Sequence, residues 1–212
     1  MTSLAWTLLG VAGVAAVGNW VAAATNRRSF EYVCKPATLA LLIGVALALH
    51  PHHGAVRTWF VVGLLFSLAG DVFLMLPKEQ FVAGLASFLL GHVAYVVGFA
   101  LEQRSVALAV VGLAVVAVAV AVVGRRIVTS VRTGSEPELL LPVCVYLLVI
   151  SAMVVLAWGA AIAVAIVGAG LFYASDATLA WDKFAGELRR GHVYVMVTYH
   201  LGQAGLVLAL LP

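Results

Sequence analysis

Apolar residues in this chain fill runs long enough to cross a membrane, and the polar residues gather in the short breaks between them. About 20 apolar residues span the hydrocarbon core as a helix. The chain divides into eight such runs, at roughly 4–24, 36–50, 55–76, 80–100, 105–124, 139–157, 160–181 and 192–211. This pattern predicts an all-α, polytopic membrane protein with eight transmembrane helices in a single domain, 1–212. The second run is short, so its helix is expected to extend into its flanks. Residues 139–181 are apolar almost throughout and too long for one crossing; the break is placed at the Trp158-Gly159 pair, where a tight turn fits. The first run ends in VAAAT, small residues of the kind found at cleavage sites. However, Met1 to Ser3 carry no positive charge and arginines follow the run, so it reads as a retained first helix.

Composition agrees with the pattern: 64% of residues are hydrophobic, 10% are charged, and the mean hydropathy is +1.12, outside the soluble globular range. The formal net charge of +3 could suit a nucleic-acid partner, but the basic residues form no continuous patch, so no such partner is expected. Basic residues collect in cytoplasmic connections, and here they do so unevenly. Of the 12, Arg27, Arg28, Lys35, Lys78, Arg125, Arg126, Arg132, Lys183, Arg189 and Arg190 fall in odd-numbered connections, and Arg57 and Arg104 in even ones. That asymmetry predicts that both termini are extracytoplasmic. Cys34 and Cys144 then lie toward the reducing side without metal-like spacing, so neither a disulfide nor a cysteine metal site is expected. Alanine and valine richness fits a high-GC bacterium, which makes a bacterial cytoplasmic membrane the expected location.

Two carboxylates interrupt the apolar runs, Asp71 in FVVGLLFSLAGDVFLML and Asp176 in AIAVAIVGAGLFYASDATLAW. An ionised Asp at the centre of a membrane helix costs about 2.5–3.5 kcal/mol on insertion scales, so such residues usually face an interior site. The two segments also align with each other, LFSLAGDVFLM with LFYASDATLA, at half the chain's length. This suggests a 4+4 parallel repeat with pseudo-repeats 1–104 and 105–212, which would place both aspartates near the cytoplasmic ends of the third and seventh helices. Either aspartate alone could be a structural hydrogen-bonding residue; two at matched depth favour a shared site.

The helices that follow each aspartate supply further polar groups. Gly84, Phe88, His92, Tyr95 and Phe99 share one helical face, and His192, Met196, Tyr199 and Gln203 share another. Gly63, Ser67 and Asp71 form a small-residue stripe that permits close helix approach. His92 and the hydroxyls of Tyr95 and Tyr199 read equally well as packed core groups or as site members. His200 turns away from the Tyr199/Gln203 face and reads as structural. His50, His52 and His53 read as a solvated outer loop, and Lys183 as a solvated loop residue. Lys35-Pro36 is either a helix start carrying a positive-inside charge, or a place where Lys35 reaches an acidic site or a lipid phosphate.

SLAGDVFLMLP, FVAGLASFLLGHVAYVVGF, GLFYASDATLAWDKF and TYHLGQAG, with KP at the second helix, together resemble the YhhN-like lysoplasmalogenases over most of the chain. The most specific elements are GD followed by GHxxY, and SD followed by YHxGQ. The resemblance implies an eight-helix membrane hydrolase that cleaves the vinyl ether bond of a lysophospholipid, lysoplasmenyl-ethanolamine or -choline, to a fatty aldehyde and a glycerophospho-base. The residues suit that chemistry independently. Protonation of the alkene carbon gives an oxocarbenium ion that water attacks, and glycosidases stabilise such ions with paired carboxylates. A pair works when its surroundings keep one carboxyl protonated and the other charged. Asp71 and Asp176 are the catalytic candidates, either one as the acid. His92, Ser175, Tyr199 and Gln203 are candidates to orient water or tune the pair, and Lys35, Ser67 and Tyr95 are further site members. No metal or cofactor is expected, because no HxxxH or HExxH spacing supports a zinc hydrolase. Membrane lipid is the expected surrounding partner, and oligomeric state stays open. A proton- or ion-coupled transporter using the same paired aspartates is the alternative.

Overall fold

A computed structural model describes residues 2–49, 54–76 and 80–211; His50, His52, His53 and Lys78 lie outside the described residues. The described residues form nine α-helices: α1 (Ser3–Ala24), α2 (Arg28–Ala48), α3 (Gly54–Met75), α4 (Phe81–Ala100), α5 (Val106–Ala119), α6 (Arg125–Thr133), α7 (Leu140–Gly159), α8 (Ala163–Phe184) and α9 (Gly191–Leu208). A π-helical turn, Val120–Gly124, joins α5 to α6 in one rod, and a 3₁₀ turn, Pro137–Leu139, leads into α7. In lipid every backbone polar group must be satisfied within its own segment, so an apolar run becomes a helix whatever its neighbours. Thr2 and Ser105 cap α1 and α5, their hydroxyls accepting from the Ala5 and Leu108 amides at 3.1 and 3.2 Å.

Among the described residues seven helices are long and apolar enough to cross a membrane, counting Val106–Thr133 as one. The eighth run is α9, whose polar residues point inward: Tyr199, His200 and Gln203 are all buried. The protein is an integral membrane protein of all-α, polytopic architecture. Its outer faces are apolar, with Val14 74% and Val106 83% exposed, as expected for surfaces covered by lipid.

The second helix extends into its flank and the long apolar block breaks at Trp158-Gly159, both as expected, whereas one expected connection is helical. The second helix begins at Arg28, so Lys35 and Pro36 sit inside it; hydropathy overlooks its polar first turns, which include Glu31. Lys35-Pro36 is therefore not a helix start. RRIVTSVRT, expected as a connection, is α6, an amphipathic continuation whose Ile127 and Val131 are buried. The turn between α7 and α8 falls just after Trp158-Gly159, with Ala161 in the left-handed region at φ 58°. The Gly159 carbonyl there accepts from the Arg104 and Ser105 amides, both at 3.0 Å, tying this turn to the one between α4 and α5.

The closest packing is between sequential helices, α1 with α2, α3 with α4, and α8 with α9, whereas α4 and α5 both pack on α7. Small residues permit this. A Cβ on Gly168 would lie 2.8 Å from the Leu206 nitrogen, and one on Gly202 would lie 2.8 Å from the Phe172 nitrogen, so α8 and α9 touch backbone to backbone. On α3 the expected stripe of Gly63, Ser67 and Asp71 does permit close approach, since a Cβ on Gly91 of α4 would lie 3.1 Å from the Gly63 carbonyl oxygen and 3.3 Å from the Ser67 hydroxyl, and Gly63 and the neighbouring Gly70 also make room for the rings of Tyr95 and Phe88. Phe60, Phe88, Tyr95, Phe99, Phe172 and Tyr199 build the aromatic centre of the core.

Candidate functional site

The bundle encloses two polar centres separated by an aromatic wall. The first is built on Asp71 of α3, which is fully buried. Its Oδ1 lies 3.0 Å from Lys35 Nζ of α2, and its Oδ2 accepts from the Tyr199 hydroxyl of α9 at 2.8 Å. Lys35, at 6% exposure, therefore turns inward and does not remain a surface charge. The network extends through α9, where Gln203 Oε1 accepts from the Tyr95 hydroxyl of α4 at 2.7 Å. Ser67, one turn from Asp71, is buried where α3 meets Gly91. The 3.6-residue repeat brings Ser67 and Asp71 to one face, as it does Tyr199 and Gln203.

The second centre is built on Asp176 of α8. Its Oδ2 accepts from the Tyr146 hydroxyl of α7 at 2.5 Å and lies 3.5 Å from His92 Nε2 of α4. The other ring nitrogen of His92, Nδ1, is 2.7 Å from the Phe88 carbonyl. A carbonyl oxygen can only accept, so Nδ1 carries hydrogen and Nε2 is the nitrogen turned toward Asp176.

Between the centres stands Phe172, whose ring centroid is 4.6 Å from that of His92 and 5.3 Å from that of Tyr199. Phe88 completes the wall, 5.8 Å from Tyr199. Among the described residues the two carboxylates share no hydrogen-bond partner. The expected single pocket is thus two pockets of polar chemistry, with Lys35, Ser67, Tyr95, Tyr199 and Gln203 gathered on Asp71 and His92 on Asp176. Ser175 joins neither: its hydroxyl donates to the Val195 carbonyl at 3.1 Å and fastens α8 to α9.

Only Asp176 opens onto space. It lines an apolar cavity between α3, α4, α7, α8 and the π-turn rod, together with Phe88, Leu85, Leu147, Ile150 and Tyr146. Asp176 is the cavity's only carboxylate among the described residues, and its side chain is 14% exposed against 1% for Asp71.

Tyr146 was not among the residues expected from sequence, although a hydroxyl in the apolar run LLPVCVYLLVISAM was a signal. Asn19, fully buried on α1 with neither amide atom partnered among the described residues, was also missed. His200 behaves as a structural residue, its Nδ1 accepting from the Trp20 indole at 3.1 Å. His192, on the expected α9 face, instead pairs with Glu31 of α2 at 2.5 Å near the membrane edge. Among the described residues no three His, Cys, Asp or Glu side chains come together as a metal site.

Curated relatives share this sequence pattern. Lysoplasmalogenase TMEM86B of Homo sapiens is 33% identical over 150 residues, 70% of this chain and 61% of that protein. A lysoplasmalogenase of Mycobacterium bovis is 35% identical over 152 residues, 70% of this chain and 58% of that protein. The uncharacterized membrane protein YhhN of Escherichia coli O6:H1 is 33% identical over 73 residues, 34% of this chain and 35% of that protein. In the human and mycobacterial proteins the matched stretch is thus less than two thirds of the relative's length. No solved structure matches the chain. A family model matches residues 30–210, which include both polar centres, and the chain belongs to the YhhN family.

Proposed function

We propose that this protein is an intramembrane hydrolase of single-chain vinyl ether lipids, of the kind the names of its human and mycobacterial relatives describe. The observation that carries the reading is the placement of Asp176, a carboxyl at the wall of an apolar cavity with a tyrosine hydroxyl and a histidine on the same oxygen. The reaction needs a proton delivered to carbon in a water-poor place. Because His92 Nδ1 is committed to the Phe88 carbonyl, Nε2 and Asp176 can meet favourably only when one proton lies between them, on the carboxyl or on the ring. That proton is the one given to the alkene.

The bonds balance. Asp176 transfers its proton to the vinyl carbon remote from the ether oxygen, leaving an oxocarbenium ion beside the new carboxylate. Water adds to the oxygen-bearing carbon and loses a proton, returning the site's acid. The resulting hemiacetal collapses to a fatty aldehyde and the lysolipid's free glycerol hydroxyl. Tyr146 holds the carboxyl oriented throughout. Asp71, bound to Lys35 and Tyr199 behind the aromatic wall, is a positioning residue that joins α2, α3 and α9. Of the two candidate aspartates this reading makes Asp176 the acid. The pairing of each aspartate helix with its successor, α3 with α4 and α8 with α9, supports reading residues 1–104 and 105–212 as parallel repeats.

The test is aldehyde release from an alkenyl lysophosphoethanolamine by purified protein, beside its saturated ether counterpart. Cleavage of the vinyl ether alone is expected, abolished in Asp176→Asn. Tyr146→Phe is expected to lower turnover about 10- to 100-fold, the scale of one hydrogen bond to a charged group. Full turnover in a folded Asp176→Asn protein would sink the mechanism. No aldehyde from folded wild type would return the coupled-transporter reading.

A further inference from the structure

Two cations neighbour residues that line the Asp176 cavity. Arg126 follows the π-turn, two of whose residues, Val123 and Gly124, line the cavity, and it precedes Ile127, another lining residue. Its guanidinium lies over the Trp181 ring of α8, 4.7 Å from the centroid. Lys183, two residues beyond Trp181 on α8, has its Nζ 5.1 Å from the centroid of Phe81. Phe81 packs edge-on against Phe184 at 5.8 Å, and both rings line the cavity. Lys183 is partly neutralised by Glu136 at 3.4 Å, whereas Arg126 is exposed and has no carboxylate partner among the described residues. A guanidinium over an indole, next in the chain to the cavity-lining Ile127 and without a carboxylate partner among the described residues, is available to an anion.

We propose that Arg126, together with Lys183, recognises the phosphodiester of the lipid whose chain occupies the cavity. The inference rests on the hydrolase reading for the lipid's identity and adds the part of the lipid that selects it. Length supports it. From Asp176 to Trp181 is five residues, about 7.5 Å along the helix axis. From the alkene carbon that Asp176 protonates, through the ether oxygen and the glycerol, to phosphorus is seven bonds, about 9 Å extended at the ~1.3 Å per bond of a backbone-like chain. A lipid with its alkene at Asp176 therefore presents its phosphate at the level of Arg126, where a planar fork can take two oxygens. The π-turn fits this role, because such wide turns recur at functional sites.

The experiment measures binding in a non-ionic detergent, independently of turnover. The probes are a saturated 1-O-alkyl lysophosphoethanolamine and a 1-O-alkylglycerol, which lacks the phosphate. Wild type is expected to prefer the phosphate-bearing lipid. Arg126→Gln should shrink that preference about tenfold or more, the scale of a charge-assisted hydrogen bond. Arg126→Glu should shrink it further, Arg126→Lys should retain part of it, and Lys183→Gln should cause a smaller loss. The proposal is overturned if wild type shows no preference, if Arg126→Gln and Arg126→Glu keep it, or if both lipids weaken equally, which would mark a merely structural arginine. Displacement of the lipid by inorganic phosphate at equal concentration would also overturn it, since the site would then read a free anion. Aldehyde release measured in parallel separates the two ideas: phosphate preference without cleavage sinks only the hydrolase, and cleavage without preference sinks only the phosphate site.

Discussion

Lys35 and Asp71 show how strongly a single buried charge depends on its partner. Their contact at 3.0 Å lies within the bundle, where removing one member of an ion pair typically costs 3–5 kcal/mol because the other is left charged and dry. Lys35→Met is therefore expected to lower the thermal midpoint in detergent sharply. The double variant Lys35→Met/Asp71→Asn should recover much of that loss, since the remaining amide can still accept from Tyr199. A double variant no more stable than Lys35→Met would show that the pair is not the source of the loss. Turnover reads the same residues differently: Asp71→Asn alone should retain a measurable fraction of aldehyde release, because Asp71 lies behind Phe172 and does not line the cavity.

At the scale of elements, the crossing of α8 and α9 controls the distance between the two centres, because Asp176 rides on one helix and Tyr199 on the other. Three glycines make that crossing close, and the atoms a Cβ would meet there are backbone, which cannot rotate away. Gly202→Ala is expected to destabilise by about 1–3 kcal/mol, the usual cost of forcing volume into a packed interface. Gly170→Ala on the same α8, with nothing within 4 Å of an added Cβ, should leave the thermal midpoint unchanged or raised. Equal midpoints for the two variants would mean that α8 and α9 are less tightly joined than described.

For the whole molecule, the bundle gives its two carboxylates different access: Asp176 faces an apolar cavity, while Asp71 is closed in by α2, α3 and α9. A hydrophobic carbodiimide, which enters through apolar space and reacts with protonated carboxyls, is expected to label Asp176 well before Asp71 by peptide mass mapping. A phospholipid bearing the alkenyl chain should slow that labelling. Faster labelling of Asp71 would place the open cavity on the wrong side of the aromatic wall.

The class of the protein, the number of apolar runs and the residues that turn inward were legible in the linear chain. In a lipid solvent the backbone must bond within each segment, and polar side chains must face the interior, so hydropathy alone locates the helices and nominates Asp71, Asp176, His92, Tyr95, Tyr199 and Gln203. Where local polarity ran against this rule, at the start of α2 and in α6, the helices extended past the apolar run, because backbone hydrogen bonding continues into amphipathic residues at the membrane edge. Which polar groups meet was decided only by the tertiary structure. Lys35 rather than Asp176 became the partner of Asp71, Tyr146 and His92 came to Asp176, and the hydroxyl of Ser175 went to a backbone carbonyl. Those pairings depend on how separate helices rotate and slide against one another. Glycines that admit a neighbouring backbone or ring, and the aromatic side chains that fill the remaining space, set those offsets, and they act between residues too far apart along the chain for its periodicity to record.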